Sequence, residues 1–242
     1  MNNPKVSIVT VCYNSIKTIE RTILSVVNQT YSNIEYIIID GGSTDGTLDI
    51  INKYRDKIAF VQSETDKGIY DAMNKGIKVS TGEIVGIINS DDQFYDSNTI
   101  NEVVEQYCSN EGCVIHGDIE YSDGNISRKV APDSDIDKMK RGPVVLHPTM
   151  FVPKDIYNAV GLFSTQYRIA ADYDMMLKIY LRGYRYVYLN RVISVMTAGG
   201  ASDKNRIRGF YECYLITLRA GLNPLLCTFN FLKRAILSSL LS

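Results

Sequence analysis

Strand-like apolar runs alternate with helix-spaced apolar residues over the first ninety positions, and this alternation sets the strongest limit on the fold. Val6 to Val11 is rich in β-branched residues, and Tyr36 to Ile39, Ile58 to Val61 and Ile84 to Ile88 are short apolar runs. Such runs read as buried strands of a parallel sheet. Between them Ile19, Ile23, Val26 and Val27 recur at helical spacing. Leu48, Ile51 and Tyr54 follow the second run, and Ile69, Met73 and Ile77 stand four apart before the last. Strand and helix in alternation predict an α/β fold with a mostly parallel central sheet flanked by helices. The loops that follow the strands then gather on one edge, where open α/β sheets bind ligands.

Those loops carry the chemistry. The last apolar run stops on Asn89-Ser90-Asp91-Asp92, an oxygen-rich cluster of the kind that suits Mg²⁺ or Mn²⁺. Asp91 is expected to hold a divalent ion against a diphosphate. The same residues also fit a plain turn that caps a helix beginning near Asn98 and Thr99. The first strand ends on Cys12-Tyr13-Asn14-Ser15, where the Tyr13 ring is of a kind that can stack on a base. With 17 tyrosines in the chain, most must simply pack. The second strand closes on Asp40-Gly41-Gly42-Ser43-Thr44-Asp45-Gly46-Thr47, whose glycines supply the backbone angles of a tight strand-to-helix turn. The third leads to Ser63-Glu64-Thr65-Asp66-Lys67-Gly68.

Beyond Asp92 the pattern is less regular. A helix is expected from Ile100 to Tyr107, a strand at Cys113 to Asp118, and a hairpin with a mobile loop over the polar stretch from Ser122 to Arg141. A strand follows at Val144 to Val152, then a short helix from Lys154 to Val160 ending at Gly161. Arg168 to Asp174 enters a helix burying Met175, Met176, Ile179 and Tyr180. Tyr186 to Leu189 is a strand, and Val192 to Met196 reads as another.

A formal net charge of −1 over 242 residues argues against a nucleic-acid binder with a broad basic surface. The five cysteines are scattered and odd in number, which suits free thiols in a reducing compartment. Cys108, Cys113 and His116 raise a zinc site, but no second pair follows at finger-like spacing, and burial as small apolar residues is the better reading. The opening Met1-Asn2-Asn3-Pro4-Lys5 lacks a charged segment followed by an apolar one, so a cytoplasmic protein is expected.

The chain divides into a catalytic-looking domain, 1–203, and a basic tail, 204–242. The tail sets Lys204, Arg206, Arg208, Arg219, Lys233 and Arg234 against the single acid Glu212. Asn223-Pro224 starts a helix in which Leu225, Phe229, Leu232, Ile236 and Leu240 share a face. Asn230, Lys233 and Arg234 interrupt it, so it should lie on a membrane surface rather than cross it, or else pack on its own domain or a second subunit.

Four stretches in order resemble the family 2 glycosyltransferases: Val11-Cys12-Tyr13-Asn14, Asp40 to Thr47, Asn89-Ser90-Asp91-Asp92 and Ala171-Asp172-Tyr173-Asp174. The resemblance covers about the first two hundred residues. It implies a GT-A, Rossmann-like fold and an inverting transfer of a sugar from a nucleotide-diphosphate donor, a UDP-sugar, to a glycan or polyprenyl-diphosphate-linked glycan. Such an enzyme, of the hexosyl- or N-acetylhexosaminyltransferase class, would serve bacterial surface-polysaccharide assembly at the inner face of the cytoplasmic membrane. It further implies that Tyr13, Asp40, Asp66 and Ser90 contact the nucleotide, that Asp91 and Asp92 hold Mg²⁺ or Mn²⁺, and that Asp172 is the general base. His147, like His116, is a candidate for the acceptor side. Asn89 departs from the family's usual first acid, as do Gly41 and Ala171 from acids common at their positions. Without the resemblance, Asp172 would read as a first-turn acid of its helix, as Asp174 does. A sugar nucleotidyltransferase and a non-catalytic sugar-nucleotide or membrane-binding module are the alternative readings.

Overall fold

In a computed structural model, which describes residues 3–122, 126–197 and 205–240, the alternation becomes a single nine-stranded sheet with helices on both faces. The first half contains β1 (Val6–Cys12), α1 (Ile19–Val27), β2 (Ile34–Asp40), α2 (Thr47–Lys53), β3 (Phe60–Ser63), α3 (Ile69–Val79) and β4 (Ile84–Asn89). Then come β5 (Gln93–Phe94), α4 (Thr99–Cys108), β6 (Val114–Ser122), β7 (Ser127–Val130), β8 (Phe151–Pro153), α5 (Lys154–Val160), α6 (Ala171–Leu181) and β9 (Tyr186–Thr197). Two further helices close the described chain, α7 (Arg206–Arg219) and α8 (Pro224–Leu240).

The sheet order is β3-β2-β1-β4-β8-β6-β9-β5, with β7 added on β6. β1 to β4 are all parallel, and β6 and β9 run the same way; β5, β7 and β8 oppose them. The carboxyl ends of β1, β2 and β4 therefore lie side by side. Alternate residues feed opposite cores. Val9, Val11, Ile37, Ile39, Val85 and Ile87 pack with α3 and α6, whereas Ile8, Ile38, Ile84 and Ile88 pack with α1, α2 and α4. Each such fully buried aliphatic side chain contributes about 1.5–3 kcal/mol, so the strand ends that carry the loops are held firmly. α3 rides close on β1: a Cβ at Gly76 would stand 2.2 Å from Cγ1 of Val9.

Two expected strands differ. The run expected at Val144 to Val152 forms a 3₁₀ turn at His147–Thr149, because Pro148 has no N–H to give a ladder, and only Phe151–Pro153 pairs. Tyr186 to Met196 is one strand, not two. Its register against β6 jumps from Gly117↔Leu189 to Asp118↔Val192, so Asn190 and Arg191 bulge out instead of ending it. Gly117 permits this, since a Cβ there would meet the Arg191 carbonyl at 2.8 Å.

The tail is in two parts. α7 joins the body: Ile216 enters the core, and Glu212 is 5% exposed. α8 leans on α7 through Phe231 against Tyr211 and Tyr214, yet leaves Leu225, Phe229, Leu232 and Ile236 exposed. Lys204 and the expected boundary at 203/204 lie outside the described residues. Among the described residues, no helix is long and apolar enough to cross a membrane. All five cysteines are free.

Candidate active site

A cleft of about 1150 Å³ opens at the carboxyl ends of β1, β2 and β4. Its lining includes Tyr13, Asp66, Ser90, Asp91 and Asp92, together with Lys17 and Thr197, the last described residue of β9. The loops are stitched to each other. Asn14, at φ +49°, turns the chain after β1; its N–H donates to Ser43 Oγ (2.7 Å) and its Oδ1 accepts from Thr44 N–H (2.9 Å). Ser15 N–H donates to Thr47 Oγ1 (2.8 Å) and Ile16 N–H to Asp45 (3.0 Å).

Tyr13 is 65% exposed, an aromatic ring presented to the cleft wall. Gly41 separates it from Asp66: a Cβ there would lie 3.4 Å from Tyr13 Cδ2 and 3.1 Å from Asp66 Oδ2. The other oxygen of Asp66 is paired with Lys75, which also reaches Glu64 at 2.7 Å. Burial raises the Asp66 pKa, and the Lys75 ammonium opposes that shift.

Asp40 is a correction. It was expected on the nucleoside, but it is fully buried and absent from the cleft lining. Its oxygens accept from the N–H groups of Gly42 and Ser43 and from the hydroxyls of Ser43 and Ser63, at 2.5 to 3.1 Å. Burial alone would raise its pKa, yet these donors hold it below the ordinary Asp value. Asp40 shapes the loop from beneath.

At the tip of β4 the two acids part. Asp92 is 2% exposed, receiving Asn89 Nδ2 at 3.2 Å and the Thr197 N–H at 3.4 Å; burial and then the Asp91 charge push its pKa up to about 7. Both of its oxygens face protein donors, so of the two acids it is Asp91 that offers an unengaged carboxylate to an ion. Asp91 has no donor to its carboxylate among the described residues, while its backbone carbonyl is pinned by Arg21 (2.8 Å) and Thr197 Oγ1 (2.7 Å). Beside it, Oδ1 of Asn89 is buried without a partner. A free carboxylate and an orphaned amide oxygen at one cleft fit a hard divalent cation whose remaining ligands are water and substrate phosphate. Among the described residues no group of three or more Asp, Glu, His or Cys could hold a metal alone, Cys108, Cys113 and His116 included. His116 is instead buried against Tyr186 and Tyr188, which lowers its pKa to about 4.

Asp172 and His147 do not line the cleft. Asp172 opens α6, its Oδ1 accepting from Tyr173 N–H (2.8 Å), with the Tyr70 hydroxyl 3.4 Å away. No described residue donates to its Oδ2. Tyr70 belongs to α3, whose Ile69 and Ala72 do line the cleft, so one helix links the two regions. Burial raises the Asp172 pKa, opposed by His147, by the Tyr173 N–H and by Tyr70; burial lowers that of His147, opposed by Asp172. Arg21, Tyr70 and Lys75 escaped the sequence reading because each supports a site residue from a helix face. Only Glu212 carried a signal, as the lone acid of a basic tail.

The sequence model described as Glycosyl transferase family 2 matches residues 7–157. A PGL/p-HBAD biosynthesis glycosyltransferase of Mycobacterium bovis is 29% identical over 229 residues, 92% of this chain and 88% of that protein. An uncharacterised glycosyltransferase of Mycobacterium tuberculosis is 32% identical over 189 residues, 72% and 68% of the two chains. Among solved structures, S. aureus TarS superposes with a TM-score of 0.73 at 24% identity over 95% of this chain, which spans 43% of the TarS chain. The Pyrobaculum calidifontis mannosyltransferase PcManGT, in complex with GDP-Man and Mn²⁺, superposes with a TM-score of 0.73 at 20% identity, covering 96% of this chain and 69% of that one. At these identities the likeness speaks for the fold.

Proposed function

The chain belongs to glycosyl transferase family 2 and is a glycosyltransferase, and from that premise we propose that it is an inverting enzyme using a UDP-sugar. It would deliver a hexosyl or N-acetylhexosaminyl unit to a hydroxyl of a glycan or lipid-linked glycan. The observation that carries the donor reading is the gap over Gly41, walled by the Tyr13 ring and by an Asp66 oxygen left free by Lys75. A uracil stacked on Tyr13 would offer its ring N–H to that carboxylate. Cytosine has no hydrogen on the corresponding nitrogen.

Asp91, helped by the Asn89 amide oxygen, would hold Mg²⁺ or Mn²⁺ beside the diphosphate. A cation bound there supplies Lewis-acid stabilisation of the charge that develops on the departing diphosphate. Lys17, also on the cleft, adds a fixed positive charge. On the acceptor side, Asp172 Oδ2 would take the proton of the attacking hydroxyl, with His147 beside it. The new bond to the anomeric carbon forms as the bond to the diphosphate breaks, which inverts that centre. Base catalysis of this kind contributes about 10²–10⁴-fold.

The acceptor would be met at a lipid surface. The exposed Leu225, Phe229, Leu232 and Ile236 of α8 lie on the same helix as exposed Lys233, and exposed Ile207 and Arg206 lie on α7. Apolar groups flanked by cations suit anionic headgroups at the cytoplasmic membrane face. Phe229→Asp with Leu232→Asp should abolish co-sedimentation with phosphatidylglycerol vesicles; equal binding by the variant would end this part of the reading, as would vesicle-independent dimerisation through α8.

The decisive experiment is a panel of UDP-, GDP- and dTDP-sugars with Mn²⁺, with and without acceptor, reading the nucleoside diphosphate released. Acceptor-dependent release of UDP supports the proposal. Release of GDP alone would overturn the uracil reading, and absence of acceptor-dependent release from every donor would overturn the whole.

A further inference from the structure

Asp172 stands in the first turn of a helix that has no cap of its own. Ala170 occupies the N-cap of α6 and offers no side-chain oxygen to the exposed backbone N–H groups. The three residues that lead into the helix are held instead, from far along the chain. The Glu212 carboxylate, on α7, takes the N–H groups of Ile169 (2.8 Å), Ala170 (3.0 Å) and Arg168 (3.1 and 3.2 Å to its two oxygens). Arg208, one turn earlier on α7, pairs with it at 2.9 Å. A carboxylate bonded by three successive N–H groups fixes the direction in which the backbone enters the helix. The same stretch is gripped from its other side, because the Tyr70 hydroxyl donates to the Ile169 carbonyl at 2.7 Å and lies beside Asp172 Oδ1.

We propose that Glu212 is a positioning residue for the transfer reaction: by holding residues 168–170 it sets the start of α6 and so aims the free oxygen of Asp172 at the acceptor hydroxyl. This rests on the reading of Asp172 as the base. The tail would then be part of the catalytic apparatus rather than an appendage. Docking of α7 alone does not require it, because Ile216 already anchors that helix in the core. Three N–H groups converging on the turn before Asp172 are what a positioning role needs.

The test is Glu212→Gln, which preserves shape but removes the charge that strengthens the three N–H bonds and turns an NH₂ group toward Arg208 Nε. It should leave the UDP affinity measured with Mn²⁺ and the KM for donor unchanged while lowering kcat about 10- to 100-fold, the loss that a displacement near 1 Å produces. Glu212→Ala should be worse, again with donor binding retained. Rates are expressed per UDP-binding site by titration, so a lowered folded fraction does not mimic the effect. Wild-type kcat per site in Glu212→Gln overturns the proposal, as does loss of UDP binding in step with activity, which marks a purely structural residue. Asp172→Asn is measured in parallel. Full activity there overturns the base reading itself, whereas an inactive Asp172→Asn beside a fully active Glu212→Gln overturns only the positioning role.

Discussion

The hydroxyls of Ser15 and Ser90 meet at 2.7 Å, joining the turn after β1 to the tip of β4 across the floor of the cleft. Ser15 is also tied to α2 through Thr47, so this contact links all three loops. Ser15→Ala and Ser90→Ala should each cost about 1 kcal/mol of stability and raise the donor KM, as expected for one lost, partly buried hydrogen bond. Because both variants break the same bond, the double variant should cost less than the sum. Thermal melts of the four proteins check this, and strict additivity would mean the two hydroxyls do not act as a pair.

Gly41→Val tests the gap between Tyr13 and Asp66. Its backbone φ is not positive, and a Cβ there stands 3.1 Å from Asp66 Oδ2, so the new side chain fills the space by pushing that carboxylate aside. The fold should survive and UDP affinity should fall at least tenfold or so, because stacking of a base on an aromatic ring is worth about 1–3 kcal/mol. Isothermal titration with UDP reads the result; unchanged affinity would move the base elsewhere.

The sequence displayed the parallel half of the sheet and its loops because there each strand and helix is long, periodic and bounded by glycine or acid. The other half was harder. Pro148 lies within a run that is apolar by composition, and Asn190-Arg191 looks like a strand end unless the partner strand, with Gly117, is seen to accept a bulge. The site divides along similar lines. Tyr13, Ser90 and Asp91 sit at strand tips and were legible there. Whether Asp40 faces the cleft or the protein depends on Ser43 and Ser63 converging on it, and Ser63 is on another strand. Glu212 could be noticed but not interpreted, since its partners at 168–170 are backbone groups more than forty positions away.

Asn89→Asp probes the ion site. Asn89 Nδ2 donates to Asp92 Oδ2, so the substitution sets a carboxylate against a buried one and removes their hydrogen bond. Without metal the variant should melt lower than the wild type. With saturating Mn²⁺ it should gain more in Tm than the wild type does, because like charges that repel when empty become ligands when filled. Melts with Mn²⁺ and with chelator decide the matter; an equal gain in both proteins would place the ion away from residue 89.

Asp172→Asn separates chemistry from binding and carries a definite pH signature. Donor binding should persist while transfer falls about 10²–10⁴-fold. In the wild type, burial lifts the Asp172 pKa above the ordinary 3.8. The base works only when ionised, so activity should fall as pH drops through that raised value, and Tyr70→Phe should move this acid limb to higher pH because the Tyr70 hydroxyl favours the ionised form. Stability carries the opposite sign. A carboxyl whose folded pKa is raised favours the folded state below its unfolded pKa, and that advantage is lost as pH rises through the folded pKa. Asparagine is never ionised and its Oδ1 can still accept the Tyr173 N–H. Asp172→Asn should therefore melt higher than the wild type at neutral pH and equal to it once the pH is below the ordinary Asp range. Melting curves across that interval, taken with kcat profiles of the wild type and Tyr70→Phe, test both signs together: a variant less stable at neutral pH, or an acid limb unmoved by Tyr70→Phe, would mean that Asp172 is held by contacts other than those at the start of α6.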